Sequence, residues 1–350
     1  MKRFLVTGGA GFIGSHIVER LIRDGHFVRV LDNFSSGKKE NLSFINDQRP
    51  TTNDRRRFEL IKGDIRDPSA CGKACKNIDF VLHHAALRSV PKSMSAPGLY
   101  NEVNIDGTLN MLLASQKNRV RHFVFASSSS IYGDIDCFPE KEDFAPRPIS
   151  PYALTKLTGE HYCHIFSRYH GLSTTSLRYF NVFGPRQALD DEYAVVIPKF
   201  IHCILRDEQP PIFGTGRQSR DFTYVDNVVE ANILAATRGL SPQIERDCPR
   251  SAIPSAVLKG TVPKKGDCPH NIFNIAGGQD ISVLELVRVL NRLTGKKIKP
   301  LFLPPRRGDV FKTHADISAA RRALGYRAVI DFKKGLGLTL AYFIKKMRAS

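Results

Sequence analysis

Tyr152 and Lys156 stand four residues apart in Ser150-Pro151-Tyr152-Ala153-Leu154-Thr155-Lys156, downstream of the serine run Ser127 to Ser130. On a helix, positions i and i+4 share a face, so the Lys156 ammonium is expected beside the Tyr152 phenol. A phenol of intrinsic pKa about 10 is a poor base at neutral pH, and a neighbouring cation favours the phenolate and makes it usable. With a glycine-rich turn opening the chain, this set points to redox chemistry. Taken alone, Tyr-x-x-x-Lys also arises on ordinary solvated helix faces, so its weight depends on the elements that position it.

The first such element is Arg3-Phe4-Leu5-Val6-Thr7, which reads as a short buried strand running into Gly8-Gly9-Ala10-Gly11-Phe12-Ile13-Gly14 and then an amphipathic helix from Ser15 to Asp24. Gly9, Gly11 and Gly14 satisfy G-x-G-x-x-G, and Gly8, Gly11 and Gly14 add a three-residue spacing. Glycine is required because the turn is tight, a side chain would block a pyrophosphate, and the helix must approach the strand closely. The phosphates then meet the positive end of the helix. Phe12 and Ile13 lie within this turn and share the cofactor assignment.

A second strand, Phe27 to Leu31, ends in Asp32, where a carboxylate is expected on the adenosine ribose hydroxyls. Asn33 follows, and no adjacent arginine would welcome a 2′-phosphate, so the spacing favours NAD over NADP. Ordinary turn chemistry could place one acid at one strand end, but the strand, the glycines, the helix and the acid all fall at the required intervals.

Composition sets the outer limits. The chain has 350 residues, 42% of them hydrophobic, enough for two joined lobes of a globular protein. No apolar run approaches the roughly 20 residues of a membrane span, and the N-terminus reads as fold and not as a signal peptide. Seven scattered cysteines without a C-x-x-C pair suggest reduced thiols in a cytoplasmic protein, with no disulfide framework and no metal site. The formal charge of +18 is spread along the chain in short basic clusters. A nucleic-acid binder would concentrate it in one stripe with stacking aromatics, so no nucleic-acid partner is expected.

Strand-like runs recur at Phe58 to Ile61, Phe80 to His83, Phe123 to Ala126, Thr174 to Leu177 and Phe273 to Ile275. Helical patterns alternate with them, at Leu99 to Asn118, Tyr152 to Tyr169, Ala194 to Arg206, Asp226 to Arg238 and Val283 to Thr294. This alternation implies an α/β fold, a doubly wound parallel sheet of Rossmann type with a smaller α/β substrate-binding lobe. Residues 1–180, with contributions from 223–239 and 271–277, are expected to form the NAD-binding domain, and 181–350 mainly the substrate lobe. The proline-rich stretch 240–270 reads as a long surface loop.

The chain resembles the extended short-chain dehydrogenase/reductase family, and within it the NAD-dependent nucleotide-sugar epimerases. The likeness covers nearly all of the chain except 240–270. It rests on the glycine turn, Gly63-Asp64-Ile65-Arg66-Asp67, His83-His84-Ala85-Ala86-Leu87, Ser127-Ser128-Ser129-Ser130-Ile131-Tyr132-Gly133, the Tyr152/Lys156 pair, and Arg178-Tyr179-Phe180-Asn181-Val182-Phe183-Gly184-Pro185-Arg186. The resemblance implies that Asp64 and Ile65 hold adenine, that Ala85 and Ala86 line the nicotinamide side, and that Lys156 bonds the nicotinamide ribose. It implies that Ser128 is the catalytic hydroxyl, with Ser89, Ser129 and Ser130 near the sugar. Asn181, Arg220 and Arg306 are implied on the diphosphate, where planar guanidinium forks suit phosphate oxygens. Asp309 is a candidate for the nucleoside ribose, and Thr313 falls where the family places a residue beside the C2 substituent of the sugar. The two helical stretches 99–118 and 152–169 are implied to pair with their copies in a homodimer.

The expected reaction follows: Tyr152 removes the C4 hydroxyl proton as hydride leaves C4 for NAD, the 4-keto sugar turns over, and hydride returns to the other face. Sugar 4,6-dehydratases carry an acidic pair after the catalytic hydroxyl, where this chain has Ser129-Ser130. The runs Tyr179 to Gln187 and Ala194 to Lys199 look most like those of epimerases acting on N-acetylated UDP-hexoses. UDP-N-acetylglucosamine is therefore the expected substrate. A UDP-hexuronate is the alternative, through Arg88, and a non-catalytic NAD-binding regulator is disfavoured because tyrosine, lysine and serine are all in place.

Overall fold

A computed structural model describes residues 1–47, 57–188, 196–238, 271–305 and 310–349. The stretch 240–270, Arg306 and Asp309 lie outside the described residues.

Seven strands form the central sheet: β1 (Arg3–Thr7), β2 (Phe27–Asp32), β3 (Phe58–Lys62), β4 (Phe80–His83), β5 (His122–Ser128), β6 (Ser173–Tyr179) and β7 (Ile272–Ile275). Their spatial order is β7-β6-β5-β4-β1-β2-β3, and every pairing is parallel. Strand order reverses at β1, so a crevice opens beyond the C-terminal ends of β1 and β4, where this architecture binds ligands. The expected Rossmann-type α/β class is the observed one.

Because successive side chains alternate, β1 sends Phe4 and Val6 to one face and Leu5 to the other. Phe4 and Val6 join Val28, Val30, Leu82 and Val124 beneath the helices Phe12–Arg23 and Val225–Arg238. Leu5 joins Val81, Phe123 and Phe125 beneath Gly107–Lys117 and Pro151–Tyr169. Both faces are covered, which explains why all six residues of β2 are buried, Arg29 among them. The helix Pro151–Tyr169 lies close against the sheet because Gly159 has no Cβ; one added there would come 2.3 Å from the Phe125 ring.

A further core, with Phe183, Ile197, Phe200, Ile201, Leu286, Leu290, Leu336, Leu340 and Phe343, joins the helices Val196–Leu205, Val283–Thr294 and Phe332–Ala349 beside the sheet.

Two expected helices differ in their details. The first begins at Phe12 and not at Ser15, because Gly11 is its N-cap and the end of the glycine turn is already helical. The expected continuous helix 99–118 is instead Pro97–Tyr100, a π-helical segment Asn101–Asp106, and Gly107–Lys117. Such a bulge rotates side chains relative to an α-helix, and here it turns Asn104 inward.

Candidate active site

The site is built where β1 ends. Gly8 takes φ +68° and donates its N–H to the Leu31 carbonyl at 2.9 Å, which closes the turn onto β2. A Cβ on Gly8 would lie 2.8 Å from the Ala85 nitrogen, and one on Gly14 only 2.2 Å from the Gly8 carbonyl oxygen. Both clashes are with backbone, so neither can be relieved by a rotamer change. Gly11 caps the following helix without a side-chain hydrogen bond, and the first turn carries no acid, leaving the positive helix end open to an anion.

At the end of β2 the buried Asp32 carboxylate accepts the N–H groups of Ala10 (2.9 Å) and Phe34 (2.8 Å), which fixes its orientation. Asn33 donates to Asp64 at 2.8 Å. The Arg66 guanidinium, bonded twice to the same carboxylate, holds the Asp64 carboxyl far below the usual range. Arg66 was not singled out from the sequence, although it lies inside the Gly63–Asp67 motif.

All twelve residues assigned to the cofactor, from Gly8 to Lys156, line one cavity of about 360 Å³ that also reaches Tyr152. The residues fit a dinucleotide: a cradle that any Cβ would invade, an uncapped helix N-terminus, and a fixed carboxylate that would repel a 2′-phosphate.

At the inner end of the cavity, Ser150 caps the helix of Tyr152 by accepting the Ala153 N–H at 3.2 Å. Ser128 closes β5, and its Oγ accepts the Ser130 N–H at 3.2 Å. The Ser128 side chain stands close enough to the Tyr152 phenol to act on its proton affinity. Burial raises the phenol's pKa, opposed by Ser128 and by the positive charge of Arg88.

Lys156 lies on the Tyr152 side of the helix, as the four-residue spacing predicts. Its ammonium lies 6.0 Å from the Tyr152 ring centre and donates to the Ala126 carbonyl at 2.8 Å. Burial brings the Lys156 pKa down to about 8. Arg88, which lines the same cavity, is a second cation near the phenol.

Supporting contacts that sequence reasoning missed surround this pair. Asn104 grips the Leu87 peptide at both ends, 2.8 Å to its N–H and 2.9 Å to its carbonyl, and donates to Thr155, between Tyr152 and Lys156, at 3.0 Å. Glu160, one turn beyond Lys156, accepts from Ser127 and forms a buried two-pronged pair with Arg178 at 3.0 and 2.9 Å. Arg178 continues to Tyr132 (2.8 Å), which donates to Asn274 on β7 (2.7 Å). Fully hydrogen-bonded buried polar groups of this kind rigidify the strand ends that carry Ser127 and Ser128.

On the substrate side, the Asn181 amide, at φ 33°, donates to the Thr313 hydroxyl at 2.9 Å and the Asp221 carbonyl at 3.3 Å. Thr313 also accepts the Asp221 N–H at 3.2 Å. Two residues 132 positions apart in sequence are thus in direct contact. Arg220 follows Ser219 and donates to the carbonyls of Ser219 (2.9 Å) and Phe311 (3.2 Å). The Ser89 hydroxyl caps the short helix Val90–Ser95 through the Lys92 N–H, so that hydroxyl has a structural task. Ser129 opens a 3-10 turn, while the Ser130 Oγ is buried without a hydrogen-bond partner. Among the described residues no cluster of three His, Cys, Asp or Glu side chains could hold a metal ion, and no helix is long and apolar enough to cross a membrane.

The family model of the NAD dependent epimerase/dehydratase family matches residues 4–245. A putative UDP-glucose 4-epimerase of Methanocaldococcus jannaschii is 34% identical over 334 residues, 95% of this chain and 95% of that protein. The solved UDP-N-acetylglucosamine 4-epimerase of Methanobrevibacter ruminantium, in complex with UDP-N-acetylmuramic acid, is 37% identical with a TM-score of 0.84 and 99% coverage of both chains. The UDP-glucuronic acid 4-epimerase of Bacillus cereus, in complex with UDP-glucuronic acid and NAD, is 31% identical with a TM-score of 0.80, again over 99% of both chains.

Proposed function

The chain belongs to the NAD dependent epimerase/dehydratase family, and from that premise we propose that it inverts C4 of a UDP-hexose, UDP-N-acetylglucosamine by preference. It is an enzyme and its cofactor is NAD. The observation that carries the reading is the convergence of Tyr152 and Lys156 on the inner end of the cleft that starts at the glycine turn, with Ser128 close enough to act on the phenol.

When bound, NAD would supply a reversible hydride acceptor at C4, so that the carbon can be inverted without net redox change. The glycine turn and Asp32 would hold the dinucleotide, and Lys156, on the helix Pro151–Tyr169 and anchored on the Ala126 carbonyl, lines the same cleft. Tyr152 takes the C4 hydroxyl proton and later gives it back, with Ser128 close by to share that proton. Arg88 stabilises the phenolate while the proton is away. Asn104 and the Glu160–Arg178 pair keep these groups in register, so little reorganisation is needed when charge moves.

Thr313 supports the N-acetylated sugar. It is small, it is bonded to the Asn181 amide, and a small side chain there leaves room for an acetamido group. A UDP-hexuronate is the second reading, favoured by Arg88, whose guanidinium faces the cavity and would suit a sugar carboxylate. Incubation with UDP-GlcNAc, UDP-Glc and UDP-GlcA separately, with products resolved by NMR, tests both: fastest C4 inversion of UDP-GlcNAc is expected, and fastest inversion of UDP-GlcA would replace this reading with the second.

The working unit is proposed as a homodimer. Leu99 and Leu113 on one helical stretch, with Leu154 and Ile165 on Pro151–Tyr169, are all more than 40% exposed, an apolar surface that a second copy would bury.

A further inference from the structure

The cofactor cleft has a wall that its sequence motifs do not supply. Of the six cationic side chains lining it, Lys38, Arg66, Arg88, Lys156 and Arg186 lie within the first 188 residues. The sixth, Lys346, comes from the helix Phe332–Ala349, beyond the stretch 4–245 that the family model matches. Two carboxylates, Asp32 and Asp64, face the six cations, so the cleft is positive overall and suited to a dianionic diphosphate.

Tyr342 stands four residues before Lys346, and the two side chains share one face of the helix, the face that closes the cleft. The neighbouring face is an anchor. Phe332, Leu336, Leu340 and Phe343 are buried in the second core, and Phe343 packs edge-on against Tyr342 at 5.4 Å and 78°. Tyr342, Phe12 and Ile13 pack against that same core, which brings the C-terminal helix to the glycine turn. Moving the helix away would uncover the core, so the wall is rigid.

We propose that the C-terminal helix is part of the cofactor site: Lys346 adds positive charge and Tyr342 a flat apolar wall at the glycine-turn end of the cleft, and together they retain NAD through the catalytic cycle. The inference rests on the NAD assignment and not on the identity of the sugar.

The test is release of NADH from the full-length holoenzyme, chased with excess NAD and followed by NADH fluorescence, at low and high salt. One exposed charge contributes modestly, so Lys346→Gln should speed release about two- to fivefold at low salt and hardly at all at high salt. Lys346→Glu should act in the same direction roughly twice as strongly on a logarithmic scale, and Lys346→Arg should restore the wild-type rate. A salt-independent acceleration would mean a merely structural role and overturn the electrostatic assignment, as would unchanged release in both charge variants. Tyr342→Ala should speed release at either salt; should it unfold, Tyr342→Leu, which keeps the packing volume but not the flat ring, serves the same purpose, and unchanged release from a folded Tyr342 variant would overturn the wall. A wild-type protein that binds no NADH at all would instead overturn the cofactor assignment itself.

Discussion

Two substitutions at Thr313 separate the volume of this side chain from its hydrogen bonds. The Thr313 hydroxyl accepts the Asn181 amide at 2.9 Å and the Asp221 N–H at 3.2 Å, and Asn181 has a second acceptor in the Asp221 carbonyl. Thr313→Val keeps the shape and deletes the acceptor. The two hydrogen bonds it accepts are each worth about 1 kcal/mol, so kcat/KM should fall by up to about 30-fold for UDP-GlcNAc and UDP-Glc alike. Thr313→Tyr deletes the same acceptor and adds an aromatic ring. Overpacking costs about 1–3 kcal/mol, and it falls only on the sugar that fills the space with an acetamido group. The ratio of kcat/KM values, UDP-GlcNAc over UDP-Glc, should therefore stay constant in Thr313→Val and drop about 5- to 150-fold in Thr313→Tyr. Initial rates with both sugars, read by NMR for the wild type and both variants, give this ratio. Equal losses on both sugars in Thr313→Tyr would remove Thr313 from the C2 pocket, and a ratio shifted as much by valine as by tyrosine would assign selectivity to the hydroxyl.

Tyr152→Phe should leave folding and NAD content nearly intact and lower kcat by about 10² to 10⁴, with Ser128→Ala smaller in the same direction; near-normal turnover of Tyr152→Phe would remove it as the base. Acidification should destabilise the fold. Burial holds His16, His84 and His122 down to about 4 and His83 lower still, against 6.5 when unfolded, so their contribution is complete above pH 6.5 and is lost as pH falls toward 4. Glu140 and Asp221, pushed up to about 7 by burial, act oppositely, their contribution being lost as pH rises toward 7. Burial also lowers His26 and raises Glu142 and Asp226, so five histidines stand against four carboxyls, and the unfolding free energy from urea melts should fall between pH 6.5 and 4.5 by no more than about 1.4 kcal/mol per pH unit, one net proton; a steeply rising stability on acidification would contradict the burial argument. Sedimentation at micromolar concentration should give twice the chain mass, and Leu154→Glu should shift it toward the monomer, whereas a monomeric wild type would end the dimer proposal.

Much of the fold was legible because periodicity and turn chemistry are local. All seven central strands lie where the apolar runs place them, with ends differing by a few residues, and the glycine spacing locates the turn that bends into the first helix. Long-range polar partners were not legible. Nothing near Tyr132 announces Asn274, 142 residues away, and nothing near Asn181 announces Thr313. The contact of Lys156 with the Ala126 carbonyl was hidden for the same reason: helical spacing gives the face a side chain shares but not the backbone carbonyl it meets. The π-helical segment was hidden because its pattern of apolar residues differs little from that of an α-helix, although it is what brings Asn104 against Leu87 and Thr155.

The central claim is that hydride leaves C4 and returns to C4 inside one closed site. It is tested most directly by incubating the purified protein, without added cofactor, with UDP-GlcNAc carrying deuterium at C4 in ordinary water. The account predicts UDP-GalNAc that retains its deuterium at C4. Loss of the label to solvent, or no C4 inversion of any UDP-hexose, would contradict it.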